Sequence, residues 1–269
     1  MNDYTDLQTA SAIPEAGSMI ETFRAYGYSP ETAIADIIDN SLSAGASRVW
    51  VNFEWKGTES WITIRDNGSG MNDAELIQAM RPGSWPPFEE RGKRDLGRFG
   101  LGLKTASFSQ ARRLTVVSRR EGEERAFWTW DLDYVKSTGK WDLVRFLPQG
   151  IAVDKLDEYP SGTLVIWMEL DRLVKNMDQR DDSALAKFLE VMEKVKKHLS
   201  MVFHRFIEKK QMQIYFQDTP LLPWDPFMTD EVATQVFPEE PLCSGQVRLK
   251  GYVLPHKSKL SDMKFRSGE

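Results

Sequence analysis

Apolar positions follow two rhythms along this chain, a helical one and an alternating one, and they change places at glycines and prolines. From Pro14 to Tyr26, Ala16, Met19, Ile20 and Phe23 recur at helical spacing, and Gly27 suits the position just past a helix end. A second helix is predicted at once, with Ser29 as N-cap, Pro30 in the first helical position and Gly45 as the stop after Ala44. At roughly 100° per residue, Ile34, Ile37, Ile38 and Ser41 fall on one side of it. Asp36, Asn40 and Ser43 fall on the other, within about 60° of each other.

Strands are predicted next. Val49, Val51, Phe53 and Trp55 alternate with Trp50, Asn52 and Glu54, and Trp61 to Arg65 alternates straight into Asp66-Asn67-Gly68. Residues 71–80 read as a short helix capped by Asn72 or Asp73, with Ala74, Ile77, Ala79 and Met80 inward. Residues 81–95 carry three prolines, two glycines and four basic groups without periodicity, a long loop for which a lid is the usual reason. A helix follows through about Gln110.

Further strands are expected at 114–118, 126–130, 141–146 and 162–168, at hairpin-like spacing that argues for a largely antiparallel sheet. The longest helical pattern, Ser183 to Ile207, suits docking on that sheet, with a coiled-coil face as the alternative. A strand at 212–216, a proline-rich connection from Pro220 to Pro241 and a strand at 246–254 complete the pattern. Two strands and a loop cannot make a core of their own, so they either cap the first unit or begin a second one, the reading we favour.

Bulk properties narrow the function. The 269 residues are 41% apolar and 28% charged, with net charge −5 and pI near 5.5, so the whole molecule has no nucleic-acid footprint. The lone Cys243 excludes an intramolecular disulfide framework, and His198, His204 and His256 form no metal-ligand grouping with it. No apolar run approaches the roughly 18 residues of a membrane span, and the N-terminus lacks the pattern of a signal peptide, so the expected compartment is the cytoplasm.

Three short stretches carry the candidate chemistry. In the first, Asn40 can offer an amide oxygen to Mg²⁺, while Asp36, one turn earlier, can orient or deprotonate an attacking water. In the second, Asp66 at a strand end can accept from an exocyclic amine such as adenine N6. The bare backbone of Gly68 and Gly70 would admit a flat ring, and Met71 would lie on its face. The third is Gly97-Arg98-Phe99-Gly100-Leu101-Gly102-Leu103-Lys104. Its glycines at a helix start, with Lys104 and Arg98, suit a polyphosphate. Together the stretches read as an ATP-hydrolysing or ATP-sensing site.

These motifs, with Ser161-Gly162-Thr163 before a strand, resemble those of the GHKL ATPase superfamily of gyrase B, Hsp90, histidine kinases and MutL. The sequences ADIIDNSLSAGA, RDNGSGM and GRFGLGLK are most similar to its MutL and MORC branch. The resemblance covers about residues 15 to 215 and implies the Bergerat fold: an α+β, two-layer sandwich with a mixed, mostly antiparallel sheet. It implies an ATP-binding domain over 1–210, with 211–269 the start of an S5-like transducer domain or a truncated extension. It further implies ATP and Mg²⁺ as cofactors, with Asp36 as general base, Asn40 on Mg²⁺, and Thr163 at the adenine end. A slow ATPase switch that closes a lid and dimerises follows, with DNA or DNA-processing partners or a defence setting.

The chain departs from the family pattern where glutamate is usual at position 36, one methylene or about 1.5 Å longer than aspartate. Ser43 stands where an aspartate is frequent, and the family's γ-phosphate lysine is expected past residue 269. A non-hydrolysing ATP-dependent assembly module is therefore the alternative. A protein histidine kinase fits less well, because no histidine-bearing hairpin precedes the site.

Overall fold

A computed structural model describes residues 10–83, 102–173 and 179–260. The lid expected over 81–95 therefore lies mostly outside the described residues. Helices α1 (Ala16–Arg24) and α2 (Pro30–Ser43) lead into strands β1 (Arg48–Glu54) and β2 (Trp61–Asp66). Then come α3 (Asp73–Met80), α4 (Gly102–Gln110), β3 (Arg113–Arg119), β4 (Ala126–Asp131), α5 (Leu132–Thr138) and β5 (Gly162–Met168). Helices α6 (Asp182–Val202) and α7 (His204–Glu208) precede β6 (Gln213–Phe216) and β7 (Thr219–Pro220).

The strands form one sheet in the order β4-β3-β5-β2-β1-β6-β7. Every pairing is antiparallel except β1 with β6, so the expected mixed, mostly antiparallel α+β sandwich is what the chain adopts. Alternation decides which face each strand offers. Val51, Ile64, Val165 and Val116 are successive partners across four strands and form one buried row beneath the helices. Ile34, Ile37 and Ile38 of α2 pack into the same core, and α2 also contacts α4 and α6. The opposite face holds a smaller cluster of Val117, Val153, Leu156, Leu164 and Ile166.

Several expectations need correction. Trp50 is buried despite its outward register, because Tyr215 stacks on it at 5.4 Å and the Arg65 guanidinium lies 4.0 Å from its ring centroid. In α3 the inward residues are Leu76 and Met80, whereas Ala74 is exposed: the Asn72–Glu75 capping box sets the start of the helix and hence its face. The strand expected at 141–146 is reduced to one bridge, Thr129 to Val144. Helix α5 before it has no counterpart in the apolar pattern. Asp131 caps it through the N–H groups of Asp133 and Tyr134, and Gly139 ends it at φ 68°.

The long helix breaks at Phe203, whose ring is buried where α6 gives way to α7. The strand expected over 246–254 is two short ones in separate pairs. One pair joins β8 (Gln235–Val236) to β11 (Tyr252–Val253), and the other joins β9 (Glu240–Leu242) to β10 (Val247–Leu249). Strands β6 and β7 lie past residue 210 yet extend the main sheet from β1. They pair there as Arg48 with Gln213 and Tyr215 with Pro220. No described helix is long and apolar enough to cross a membrane.

Candidate functional site

Helix α2 starts as its sequence predicts, with the Ser29 side chain accepting from the Thr32 N–H and Pro30 in the first turn. Its inward side is Ile34, Ile37, Ile38 and Ser41, joined by Ala33 and Ala35. Asp36 is half-buried and accepts a 2.8 Å hydrogen bond from the Tyr28 hydroxyl. Asn40 is exposed, and its side chain makes no hydrogen bond to another described residue.

Asp39 lies inside the ADIIDNSLSAGA stretch between Asp36 and Asn40, and its spacing from Asp36 places the two as neighbours on the helix. Burial first, and the Asp36 charge second, push its carboxyl from 3.8 up to about 6.

Asp66 closes β2, paired in register with Val49 of β1 and Thr163 of β5. Its carboxylate is buried. Oδ2 accepts from Ser41 Oγ at 2.9 Å and Oδ1 from the Gly68 N–H at 2.8 Å. Burial pushes its pKa upward, against the opposing pull of Gly68, Ser41 and the Thr163 N–H. Ser41 is therefore part of the site, although its place on the apolar side of α2 suggests only packing.

The glycines are also required by the fold itself. Gly70 has φ +63°, and a Cβ there would sit 1.8 Å from the Arg119 carbonyl oxygen. A Cβ on Gly68 would meet Ala44 Cβ at 2.9 Å and Asp66 Oδ1 at 3.0 Å. Both positions are fixed by the protein's own backbone and side chains. Met71 is half-buried against the main core, and its N–H donates to Ser118 Oγ at 2.9 Å. Ser118 is wholly buried, lies 2.9 Å from Thr163 Oγ1 and donates to the Gly162 carbonyl. Ser161 Oγ closes the cluster by donating to the Gly68 carbonyl at 2.7 Å. Asp66, Gly68, Gly70, Met71 and Thr163 are thus brought together with Ser161 of the fourth motif, and Ser41 and Ser118 are partners that a one-dimensional reading misses.

The third stretch is only partly described. Gly97, Arg98, Phe99, Gly100 and Leu101 lie outside the described residues, whereas Gly102 opens α4. Lys104 is buried, and its Nζ donates to the Ala79 carbonyl in the last turn of α3 at 2.9 Å. Burial draws the ammonium from 10.5 down to about 8. The charge expected to face a phosphate is turned, in this conformation, toward the end of α3. Two clefts of about 430 and 450 Å³ lie elsewhere: one between α6 and the β6–β7 hairpin, the other on the opposite sheet face beside Trp61 and Arg65.

The donor set fits a purine and a hard cation. Ser41, Gly68 and Thr163 fill three of the roughly four lone-pair sites of the Asp66 carboxylate, so it can still accept from an amine, and the Asn40 amide has no hydrogen-bond partner among the described residues. No described group of three His, Cys, Asp or Glu could hold a metal, so Mg²⁺ at Asn40 would draw its other oxygens from phosphate and water.

The profile of the family described as histidine kinase-, DNA gyrase B-, and HSP90-like ATPase matches residues 28–163, half of the chain. ATPase morc-1 of Caenorhabditis elegans is 31% identical over 93 residues, 35% of this chain and 10% of that protein. DNA mismatch repair protein MutL of Edwardsiella ictaluri is 35% identical over 102 residues, 36% of this chain and 16% of that protein. MutL of Shewanella piezotolerans is 31% identical over 143 residues, 52% of this chain and 21% of that protein. The matched region thus spans between 10% and 21% of the length of these relatives. On the profile match and the fold together, the chain belongs to the histidine kinase-, DNA gyrase B- and HSP90-like ATPase family, near its MutL and MORC members.

Proposed function

We propose that this domain binds Mg-ATP and hydrolyses it slowly, as a switch whose nucleotide state drives lid closure and dimerisation. The supporting observation is the junction of α2 and β2. Asp36 and Asn40 occupy the outer side of the helix whose inner Ser41 is bonded to Asp66. One helix therefore sets the spacing between the two ends of a nucleotide.

In this reading Asp66 accepts from the adenine amine, with Gly68, Gly70, Met71 and Thr163 around the base. Asn40 offers its amide oxygen to Mg²⁺, and Asp36 takes the proton of the attacking water. Gly97, Arg98, Phe99, Gly100, Leu101 and Gly102 hold the phosphates. Lys104 joins them by leaving Ala79, a move that relieves the desolvation its ammonium suffers in the buried position. DNA-directed or defence machinery is the proposed setting, since relatives include proteins named for DNA mismatch repair.

A second reading, ATP-dependent assembly without hydrolysis, is favoured by the short Asp36 side chain, one of whose oxygens is already bonded to Tyr28. Incubating the purified chain with γ-labelled ATP and Mg²⁺ separates the readings. Released phosphate supports hydrolysis, and binding without turnover supports assembly. Label retained on the protein would instead indicate a kinase and overturn both.

A further inference from the structure

Tyr28 precedes α2 by two residues and is not part of the three glycine-and-acid stretches, yet it reaches two of the helices that carry them. Its hydroxyl donates to Asp36 Oδ2 at 2.8 Å and shares a side-chain hydrogen bond with Thr105 of α4. At its other end, the Tyr28 carbonyl accepts from Gln110 Nε2 at 2.9 Å, and Gln110 itself is buried in the last turn of α4. The ring packs half-buried against the main core. Tyr28 is therefore tied to the first and last turns of α4 while its phenol rests on α2.

We propose that Tyr28 is a positioning residue that fixes the Asp36 carboxylate for water activation and couples its orientation to α4, the helix that begins at the phosphate-binding glycines. The proposal rests on the reading of Asp36 as the base. Its physical content is geometric. An aspartate on a helix can swing its carboxylate among staggered rotamers, and being one methylene shorter than glutamate leaves it less reach to correct an error. A donor on Oδ2 selects one orientation and leaves Oδ1 for the water. Because the donor also touches Thr105, a displacement of α4 moves the carboxylate. Burial, followed by the Asp36 hydrogen bond and charge, pushes the phenol pKa up, so the hydroxyl keeps the proton it donates.

Tyr28→Phe removes the hydroxyl alone. The expected result is a fall in kcat of about tenfold, within the roughly hundredfold range associated with a misplacement of about 1 Å. KM and the calorimetric Kd for Mg-ATP should stay unchanged, and no further loss should appear when the change is added to Asp36→Asn. A wild-type kcat in Tyr28→Phe, beside an inactive Asp36→Asn, overturns the positioning role alone. A wild-type rate in Asp36→Asn overturns the reading of Asp36 and this proposal with it. The contact is also tested without turnover, by NMR titration of ¹³C-labelled tyrosine. The Tyr28 phenol should titrate lower in Asp36→Asn than in the parent chain, and an unchanged titration overturns the proposal.

Discussion

Ser41 and Asp66 meet across the junction of helix and sheet: the serine hydroxyl donates to Oδ2 at 2.9 Å, and both side chains are buried. This bond ties α2 to the end of β2 from the buried side of the helix, opposite Asp36 and Asn40. Ser41→Ala would leave a buried carboxylate oxygen short of a donor, at a cost of about 1–3 kcal/mol. Urea denaturation near neutral pH should show a lower midpoint with an unchanged slope. A midpoint equal to the parent's would mean that the bond contributes nothing net.

Gly70→Ala should be worse. The position combines φ +63° with an approach of 1.8 Å between an added Cβ and the Arg119 carbonyl oxygen, so both the backbone and β3 must move. The expected loss is on the order of 3 kcal/mol or more, read as a thermal or urea midpoint. Gly45→Ala is the control, because its φ is also positive, at +73°, but nothing lies within 4 Å.

Lys104 has a folded pKa of about 8 against 10.5. The native state therefore releases a proton that the unfolded chain keeps between those values, and stability rises with pH across the window. Below pH 8 the buried ammonium opposes folding. Lys104→Met should raise the urea midpoint at pH 7 and flatten its rise from pH 8 to 10.5, while weakening Mg-ATP binding in calorimetry. A lower midpoint at pH 7 would show that the bond to Ala79 outweighs the desolvation.

Asp39 runs the opposite way. Its carboxyl, raised from 3.8 to about 6, holds a proton more tightly in the folded protein. Its contribution favours the fold below about pH 4 and is lost as pH rises through 6. In Asp39→Asn, the stability difference from the parent should change in the variant's favour across that window. Asp36→Asn should return the Asp39 titration toward the ordinary value, as carboxyl ¹³C NMR would report.

Asn40→Ala should abolish Mg-ATP binding by calorimetry; unaltered affinity would remove Asn40 from the metal. Asp36→Ala should bind and not turn over, and Asp36→Glu should turn over faster, because the added methylene restores about 1.5 Å of reach. Normal hydrolysis by Asp36→Ala would sink the general-base role.

Most of the frame is legible in local pattern. The cap at Ser29 and Pro30, the apolar side of α2, the alternation of β1, β2, β3 and β5, and the spacing of Asp36, Asn40 and Asp66 all follow from rules that act over a few residues. The remaining features exist only in three dimensions, because they depend on atoms far apart in the chain. Trp50 is buried by Tyr215, and β6 joins β1 in parallel, with Gln213 beside Arg48. Gly70 is held glycine by the Arg119 carbonyl, and Lys104 turns inward to a carbonyl of α3. Ser41 and Ser118 look like packing in one dimension and become hydrogen-bond partners only when β2, β3 and β5 converge. A polar side chain's role is set by what the fold places within about 3 Å of it, a distance that periodicity along the sequence does not encode.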